Sequence, residues 1–110
     1  MQTKLFYLNL VLLAVTVSLL TACKKEKIGE NEVIMLNNTY DPTLIVVKVG
    51  TTVTWNNKEN IKHSVTSDEG MFESGDMKKG NQYGFTFAAK GYYIYHCSYH
   101  RAMKGTVLVK

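Results

Sequence analysis

Short apolar, β-branched runs separated by turn residues follow one another along the chain from residue 32 to its end. The run "QYGFTF" alternates so that Tyr83, Phe85 and Phe87 share one face, and "GYYIYHC" alternates in the same way. A period of two residues is typical of β-strands, whereas no window of about a dozen residues here repeats with the helical period. The predicted strands are 32–36, 43–50, 51–57, 63–67, 82–87, 91–97 and 105–109.

Turn residues separate these strands, as the pair Asn37-Asn38 and Gly50 illustrate. Pro42 stands just before a predicted strand, where a missing N–H does least harm. Seven to eight short strands in about 90 residues predict an all-β fold, a Greek-key β-sandwich or small barrel. Trp55 lies at the centre of a predicted strand, and we expect it to be a structural core residue.

The N-terminal segment has the layout of an export signal. Lys4 precedes an apolar run from Leu5 to Leu20, and the run ends in "LTAC", which resembles the bacterial lipoprotein signal. Sixteen helical residues span roughly 24 Å, less than the ~30 Å hydrocarbon core of a bilayer. We therefore expect residues 1–22 to be removed and Cys23 to be lipidated; an ordinary cleaved signal and an uncleaved anchor are the alternatives.

This interpretation divides the chain into a signal (1–22), a tether (23–31) and one domain (32–110). The domain is expected to be exported and to lie on the periplasmic or cell-surface side of a bacterial membrane, held there by its lipid. The net charge is +4, but the charges are scattered and form no basic stripe of the kind that binds nucleic acid. The sequence contains no catalytic constellation and no glycine loop for phosphate, so we do not expect an enzyme.

Lipidation of Cys23 leaves Cys97 as the one remaining cysteine of the two in the chain. A free thiol outside the cytoplasm is prone to oxidation and cannot form an internal disulfide. A Cys23–Cys97 bridge conflicts with lipidation, and an inert core cysteine ignores the donors around it. A thiolate bound to a metal fits both observations.

The stretch "YHCSYHRAM" concentrates metal donors near the end of the chain. Neighbouring strand residues point to opposite faces, so we expect His96 to point away from Cys97 and to be a surface or satellite-core residue. The spacing C-x2-H-x2-M lets one tight loop direct Cys97, His100 and Met103 toward a common centre. His63 is the only other histidine and stands where a polar loop returns to a strand. Taken singly each is compatible with an ordinary position, but together these soft donors predict a copper site.

Two histidines, a cysteine and a methionine are the donors of a blue-copper electron-transfer site. Beyond these donors, the ordered series "YDPTLIVVKVGTTVTWNN", "HSVT", "FESGDMKKGNQYGFTF" and "GYYIYHCSYHRAMKGTVLV" resembles the cupredoxins. This is the family of plastocyanin, pseudoazurin and amicyanin. The resemblance covers residues 32–110, and the short ligand loop is most similar to that of amicyanin.

The resemblance implies one type 1 copper per chain and a distinct role for each donor. Cys97 would supply the strong thiolate bond, His63 and His100 the two imidazoles, and Met103 a weak axial contact. His63 should be the more buried histidine, and His100 should be nearer to solvent as the port for electrons.

Two departures from the family pattern lie beside the ligands. Ser64 stands where many cupredoxins have an asparagine whose amide ties the ligand loops together, so it is a candidate for that supporting position. Tyr99 and Arg101 flank the second histidine, where short family loops often carry proline. Tyr99, Met71 and Ala102 are candidates for an apolar rim around the port, although Tyr99 is equally compatible with ordinary surface.

The resulting prediction is a lipid-anchored electron carrier that cycles copper between Cu(II) and Cu(I). Its partners would be redox proteins met through transient contacts, and we expect the carrier to be a monomer. A copper delivery or storage module uses the same ligands and is the alternative, although the chain has no Met-rich or His-rich tract. An adhesive sandwich with a fortuitous donor cluster is a third interpretation.

Overall fold

The computed structural model describes residues 28–110, and the regular structure in that part of the chain consists entirely of β-strands. The predicted signal, Cys23 and the first half of the predicted tether lie outside the described residues. Within residues 28–110 no helix is long and apolar enough to cross a membrane. The strands are β1 (Glu32–Leu36), β2 (Thr39–Asp41), β3 (Leu44–Val47), β4 (Thr52–Asn57), β5 (Thr66–Ser67), β6 (Gln82–Thr86), β7 (Gly91–His96) and β8 (Lys104–Val109).

The strands form two four-stranded sheets, as the all-β prediction requires. One sheet has the order β2-β1-β4-β6 and the other the order β3-β8-β7-β5. The pairs β1–β4 and β3–β8 are parallel, and the remaining neighbours are antiparallel. Each parallel pair joins strands that are distant in sequence, so the chain crosses between the sheets and does not form a simple meander.

The alternation of side chains explains which residues fill the space between the sheets. In β4, Val53 and Trp55 are fully buried while Thr52 is exposed. Trp55 lies at the centre of the core, as expected, with aromatic rings on four sides. Its neighbours are Phe72, Tyr83, Phe87 and Tyr95, with centroid distances from 5.3 to 6.5 Å.

The predicted turn at Asn37 and Asn38 is present, and it joins β1 to a strand that the hydrophobic pattern missed. Both asparagines have φ near +55°, the backbone conformation that a tight two-residue hairpin turn requires. The missed strand, β2, is only three residues long and contains one apolar residue, Tyr40. A strand that short has no detectable alternation.

The predicted strand over 63–67 shortens to Thr66–Ser67. Its first residue, His63, instead forms an isolated bridge with Met77, with N–O distances of 3.1 and 2.8 Å. Because His63 is not part of the sheet, its side chain does not follow the alternation of a strand. It lies instead at the end of the sandwich where β7 ends.

Candidate metal centre

The loop after β7 holds three of the predicted donors. The Cys97 N–H donates to the carbonyl of Met103 at 3.0 Å, and the Met103 N–H donates to the carbonyl of His100 at 3.0 Å. These two bonds close the loop on itself, so that C-x2-H-x2-M becomes a compact turn between β7 and β8. The backbone therefore adopts the tight loop that the spacing predicts.

His63 reaches the same point from the other side of the sandwich. Its Nδ1 lies 3.7 Å from the Cys97 Sγ, and the Nδ1 of His100 lies 3.6 Å from the same sulfur. The two imidazole rings are 5.0 Å apart between centroids. One donor atom from each of these three residues lies within 4.8 Å of the other two.

These separations fit a shared metal ion. Two donors that are each about 2.0–2.3 Å from one ion in a trigonal arrangement are roughly 3.5–4 Å apart. A thiolate with two imidazoles is the soft trigonal set that suits copper. The chemistry of the three donors and the distances between them therefore both fit a bound copper ion.

Met103 belongs to the same turn as this cluster. It is almost fully buried, and its backbone is bonded to the two loop residues that carry Sγ and imidazole. The structure thus places the fourth predicted donor in the turn that holds Cys97 and His100. The two histidines differ in exposure as expected, because His63 is fully buried and His100 is partly exposed.

A carboxylate that sequence reasoning missed orients the His63 ring. The Nε2 of His63 lies 2.9 Å from Oε2 of Glu59, so the nitrogen facing away from Cys97 donates to this carboxylate. The opposite nitrogen, Nδ1, is then free of its proton and available as a donor to a metal. Glu59 sits four residues before His63, but in a loop that no periodicity describes, so only a search for carboxylates near the histidine would have singled it out.

Opposing effects act on the pKa of Glu59. Its partial burial alone would raise the pKa of the carboxyl group, but hydrogen bonds from His63 and from the backbone N–H of Asn38 outweigh this. The net pKa is lowered, which keeps Glu59 ionised at neutral pH. An ionised carboxylate is the stronger acceptor for the imidazole N–H.

Asn57 shapes the loop between β4 and His63. Its side-chain amide is fully buried and donates to the carbonyls of Ile61 and Met77 at 2.8 and 2.9 Å. Its amide oxygen accepts from the N–H of Glu59 at 3.0 Å. One buried amide therefore holds both the carboxylate that orients His63 and the segment that pairs with it.

Ser64 makes the loop-to-loop contact suggested by its position. Its Oγ accepts from the N–H of Ser98 at 2.9 Å, which joins the His63 segment to the Cys97 loop. The hydroxyls of Ser64, Thr66 and Ser98 also lie 2.9 to 3.1 Å from one another. Three hydroxyls thus join the two loops at the supporting position expected of Ser64.

A polar cluster outside the ligand set surrounds Tyr99. The hydroxyl of Tyr99 donates to the carboxylate of Asp76, which also lies 3.5 Å from the ammonium group of Lys62. This hydrogen bond and the Lys62 charge lower the pKa of Asp76. Lys62 also stands 4.9 Å from the centre of the Tyr99 ring, so three loops meet beside the ligand turn.

The structure places the remaining sequence candidates at separate points. Ala102 is exposed in the ligand turn. Met71 is exposed at the edge of β7, where it lines a depression with Asp68 and Ile94. His96 points away from Cys97, as strand alternation predicts, and its Nδ1 lies 2.5 Å from the Asp68 carboxylate.

The comparisons with known proteins agree with this geometry. The family described as a cupredoxin-like domain matches residues 9–109. The chain belongs to the cupredoxin family.

Amicyanins are among the relatives of this cupredoxin. The amicyanin of Paracoccus denitrificans is 40% identical over 76 residues, which cover 64% of this chain and 58% of that protein. Amicyanin-alpha of Methylorubrum extorquens is 33% identical over 88% of this chain and 86% of that protein. An oxidised amicyanin variant superposes with a TM-score of 0.71 at 34% identity, over 78% of this chain and 87% of the other.

Proposed function

We propose that this cupredoxin is an exported one-electron carrier that holds a single copper ion with His63, Cys97, His100 and Met103. The observation that carries the proposal is the convergence of two imidazoles and a thiol at one end of the sandwich. The similarity of the chain to two amicyanins supports it. A bound copper ion would supply the Cu(II)/Cu(I) couple.

The protein contributes a nearly fixed set of donors. Cys97 and Met103 are anchored by backbone hydrogen bonds within one turn, and His63 is held from behind by Glu59. Donors that cannot move far require little rearrangement when the charge of the ion changes. A site supported in this way favours fast electron exchange over release of the metal, which distinguishes a carrier from a delivery protein.

His100 is the proposed port for electrons. Its partial exposure contrasts with the burial of the other three donors. Tyr99 and Ala102 belong to the same turn and would form part of the surface that a redox partner contacts. The protein would work as a carrier rather than an enzyme, through brief encounters in which small interfaces are sufficient.

The proposed location is outside the cytoplasm, with the chain anchored by a lipid on Cys23. The "LTAC" stretch and the preceding apolar run support this part of the proposal. The short segment between Cys23 and β1 would keep the domain close to its membrane.

Copper loading of the purified protein tests the site. We expect an intense visible absorption from thiolate-to-copper charge transfer, and Cys97→Ser should abolish it. His96→Gln is the matched control, because this histidine neighbours Cys97 but points to the opposite face. A variant His63→Gln or His100→Gln with unchanged absorption would contradict the ligand assignment.

A further inference from the structure

The strand pairs β4–β6 and β7–β8 present very different outer surfaces. The outer face of β4 and β6 is polar, with Thr52, Thr54, Gln82 and Thr86 among its residues. The outer face of β3, β8 and β7 is apolar instead. We call the second surface the apolar face and define it by Leu44, Val46, Thr106, Leu108, Tyr92 and Ile94.

Strand register makes the apolar face continuous. Val46 pairs with Leu108, and Leu108 pairs with Tyr92, so these three side chains form one row across the sheet. A second row runs from Leu44 through Thr106 to Ile94.

The side chains of the apolar face are exposed to solvent. Tyr92 is 73% exposed, and Leu44, Val46 and Ile94 are each about half exposed. These side chains form one contiguous exposed apolar patch, and the largest such patch of a monomeric protein, about 300–600 Å², is often functional. An outer surface of this kind is suited to contact with another apolar phase.

Positive charges stand at both ends of the apolar face. Lys48 and Lys110 line a depression together with Val46, and Arg101 and Lys104 line another beside His96. None of these four cations forms an ion pair within residues 28–110. The carboxylates that line these depressions and the one beside β7 are Glu30, Asp68 and Glu69, of which Asp68 is paired with His96.

The chain enters the domain at the edge of the same face. Glu30 and Asn31 line the depression that contains Val46, Lys48 and Lys110. Gly29 follows Cys23 by only six positions, and six residues span at most roughly 20 Å at about 3.3–3.6 Å each. The sequence between them is "KKEKI", which carries three lysines.

We propose that the apolar face lies against the anionic phospholipid surface to which the chain is anchored. This inference rests on the proposed lipid at Cys23, because a short tether that begins at the border of the face holds it near the bilayer. Aromatic and aliphatic side chains enter the boundary between headgroups and acyl chains, and flanking Lys and Arg bind anionic headgroups. A second copy is a poorer occupant, because pairing two such faces would bring the bordering cations of both copies into one interface.

The arrangement has a consequence for electron transfer. β7 and β8 lie within the face, so both strands would run along the membrane surface. The ligand turn that joins these strands would then point parallel to the membrane surface, and His100 would lie at the level of the lipid headgroups. Partners that are themselves bound to the same membrane would reach this port directly.

Tryptophan quenching by brominated lipids tests the orientation. The full chain is expressed in a bacterium that lipidates lipoproteins, loaded with Cu(I), and reconstituted into vesicles of phosphatidylcholine and phosphatidylglycerol. Tyr92→Trp reports on the apolar face, and Gln82→Trp is the matched control on the polar outer face. Trp55 is fully buried and contributes a constant background to both variants.

We expect bromination of the acyl chains to reduce the emission of the tryptophan introduced at position 92 by about half, because interfacial side chains lie roughly 5–10 Å into the boundary region. The emission of the tryptophan introduced at position 82 should stay unchanged. Ile94→Trp serves as a second probe should Tyr92→Trp misfold. Equal quenching at positions 82 and 92, or none at position 92, would overturn the proposal, including the case in which another protein or a second copy covers the face.

Charge reversal tests the role of the cations. Lys48→Glu with Lys110→Glu, each combined with the probe Tyr92→Trp, should weaken the quenching at position 92. Lys78→Glu with Lys79→Glu, which lie outside the face, should not weaken it. Unchanged quenching in the first pair would overturn the assignment to anionic lipid.

Separate measurements keep the two proposals apart. Intact mass reports the lipid on Cys23, and a chain without it overturns the membrane orientation. The visible absorption of the oxidised protein reports the copper site. An absorbing protein without asymmetric quenching refutes only the orientation, and asymmetric quenching without absorption refutes only the carrier.

Discussion

At the scale of single residues, Glu59 contacts one of the proposed ligands, His63, although it is not itself a proposed donor. Its contact with Nε2 selects which nitrogen of His63 faces the sulfur. Partners of this kind behind a ligating histidine commonly account for a 10–100-fold difference in metal affinity. The motif C-x2-H-x2-M contains no hint of it.

Replacing Glu59 therefore tests the contact. We expect Glu59→Ala to weaken Cu(I) binding by roughly 10–100-fold, measured by competition with a chelator. Glu59→Gln should weaken it less, because the amide oxygen still accepts from the imidazole N–H. Glu69→Ala removes an exposed carboxylate elsewhere and should leave the affinity unchanged; equal losses at positions 59 and 69 would assign the effect to net charge.

Tyr95 differs from Glu59 in its hydrogen bonding. Its buried hydroxyl lacks a hydrogen-bond partner among the described residues. Burial raises the pKa of Tyr95 to about 12. The folded state therefore keeps this proton after the unfolded state has begun to lose it.

The stability of the fold should accordingly decrease at high pH. Below the ordinary tyrosine pKa of about 10 the group has no effect, and between pH ~10 and ~12 it lowers the free energy of unfolding by up to about 1.4 kcal/mol per pH unit. Tyr95→Phe should reduce this dependence and cost little at pH 7, since it removes an unpaired hydroxyl. Urea unfolding of both proteins at pH 7 and 11 measures the difference; parallel losses in the two would refute the assignment.

At the scale of elements, the strand pair β7–β8 carries the ligand turn and is packed most closely at one position. A β-carbon on Gly105 would overlap the hydroxyl of Tyr95 and the ring carbon that bears it. Tyr95 and Gly105 are direct partners in the register of the two strands. The aromatic core thus extends to the backbone of β8, just after the turn that ends with Met103.

Gly105→Ala should force the ring of Tyr95 to move. We expect a loss of about 1–3 kcal/mol in the free energy of unfolding, as for other overpacked cores. Gly84→Ala is the matched control, because its β-carbon would meet only ordinary contacts, the nearest at 3.5 Å. That variant should be neutral or more stable by about 0.4–1 kcal/mol, and equal losses at both positions would point to a general intolerance of strand substitutions.

At the scale of the whole molecule, the donors come from two separate segments of the chain. His63 belongs to a segment bridged to Met77, whereas the other three donors belong to the β7–β8 turn. A metal bound to both would link them. Binding to the folded state alone stabilises it by mass action, by about 2.7 kcal/mol when the free ligand is 100 times its dissociation constant.

Copper should therefore raise the melting temperature of the domain by roughly 10 °C or more, since about 1 kcal/mol corresponds to roughly 4–8 °C at this size. Scanning calorimetry of the metal-free and Cu(I)-loaded protein measures the shift. Cys97→Ser should lose most of it, and His96→Gln should keep it. A shift that survives in Cys97→Ser would place the stabilising metal somewhere else.

The orientation proposed for the apolar face also belongs to this scale, because it depends on where the tether leaves the domain. The alternation of Tyr92 and Ile94 was visible in the sequence, and it predicts a strand equally well with either face buried. Only the pairing with β8 and β3 shows that these residues join Val46 and Leu108 on the outside.

Most of the strands, the fold and the ligand turn of this protein can be predicted from the sequence alone. Apolar, β-branched runs and the alternation of two of them predict all strands except the three-residue β2, although the strand predicted over 63–67 is limited to Thr66–Ser67. The family resemblance extends to the fold that the structure has. The spacing C-x2-H-x2-M predicts a shared centre because it is a local property of one turn. Local patterns are readable in this way because neighbouring residues constrain each other through the backbone itself.

Only the tertiary structure decided which distant groups meet. The distance between the imidazole of His63 and the Cys97 sulfur depends on how the two sheets pack. The same holds for Glu59 behind His63 and for the hydroxyls that join Ser64 to Ser98. These contacts are side-chain pairings between loops, and loops carry no periodicity from which a partner can be inferred. Their geometry depends on the aromatic core between the two sheets, because packing of the sheets brings these loops together at one end of the sandwich.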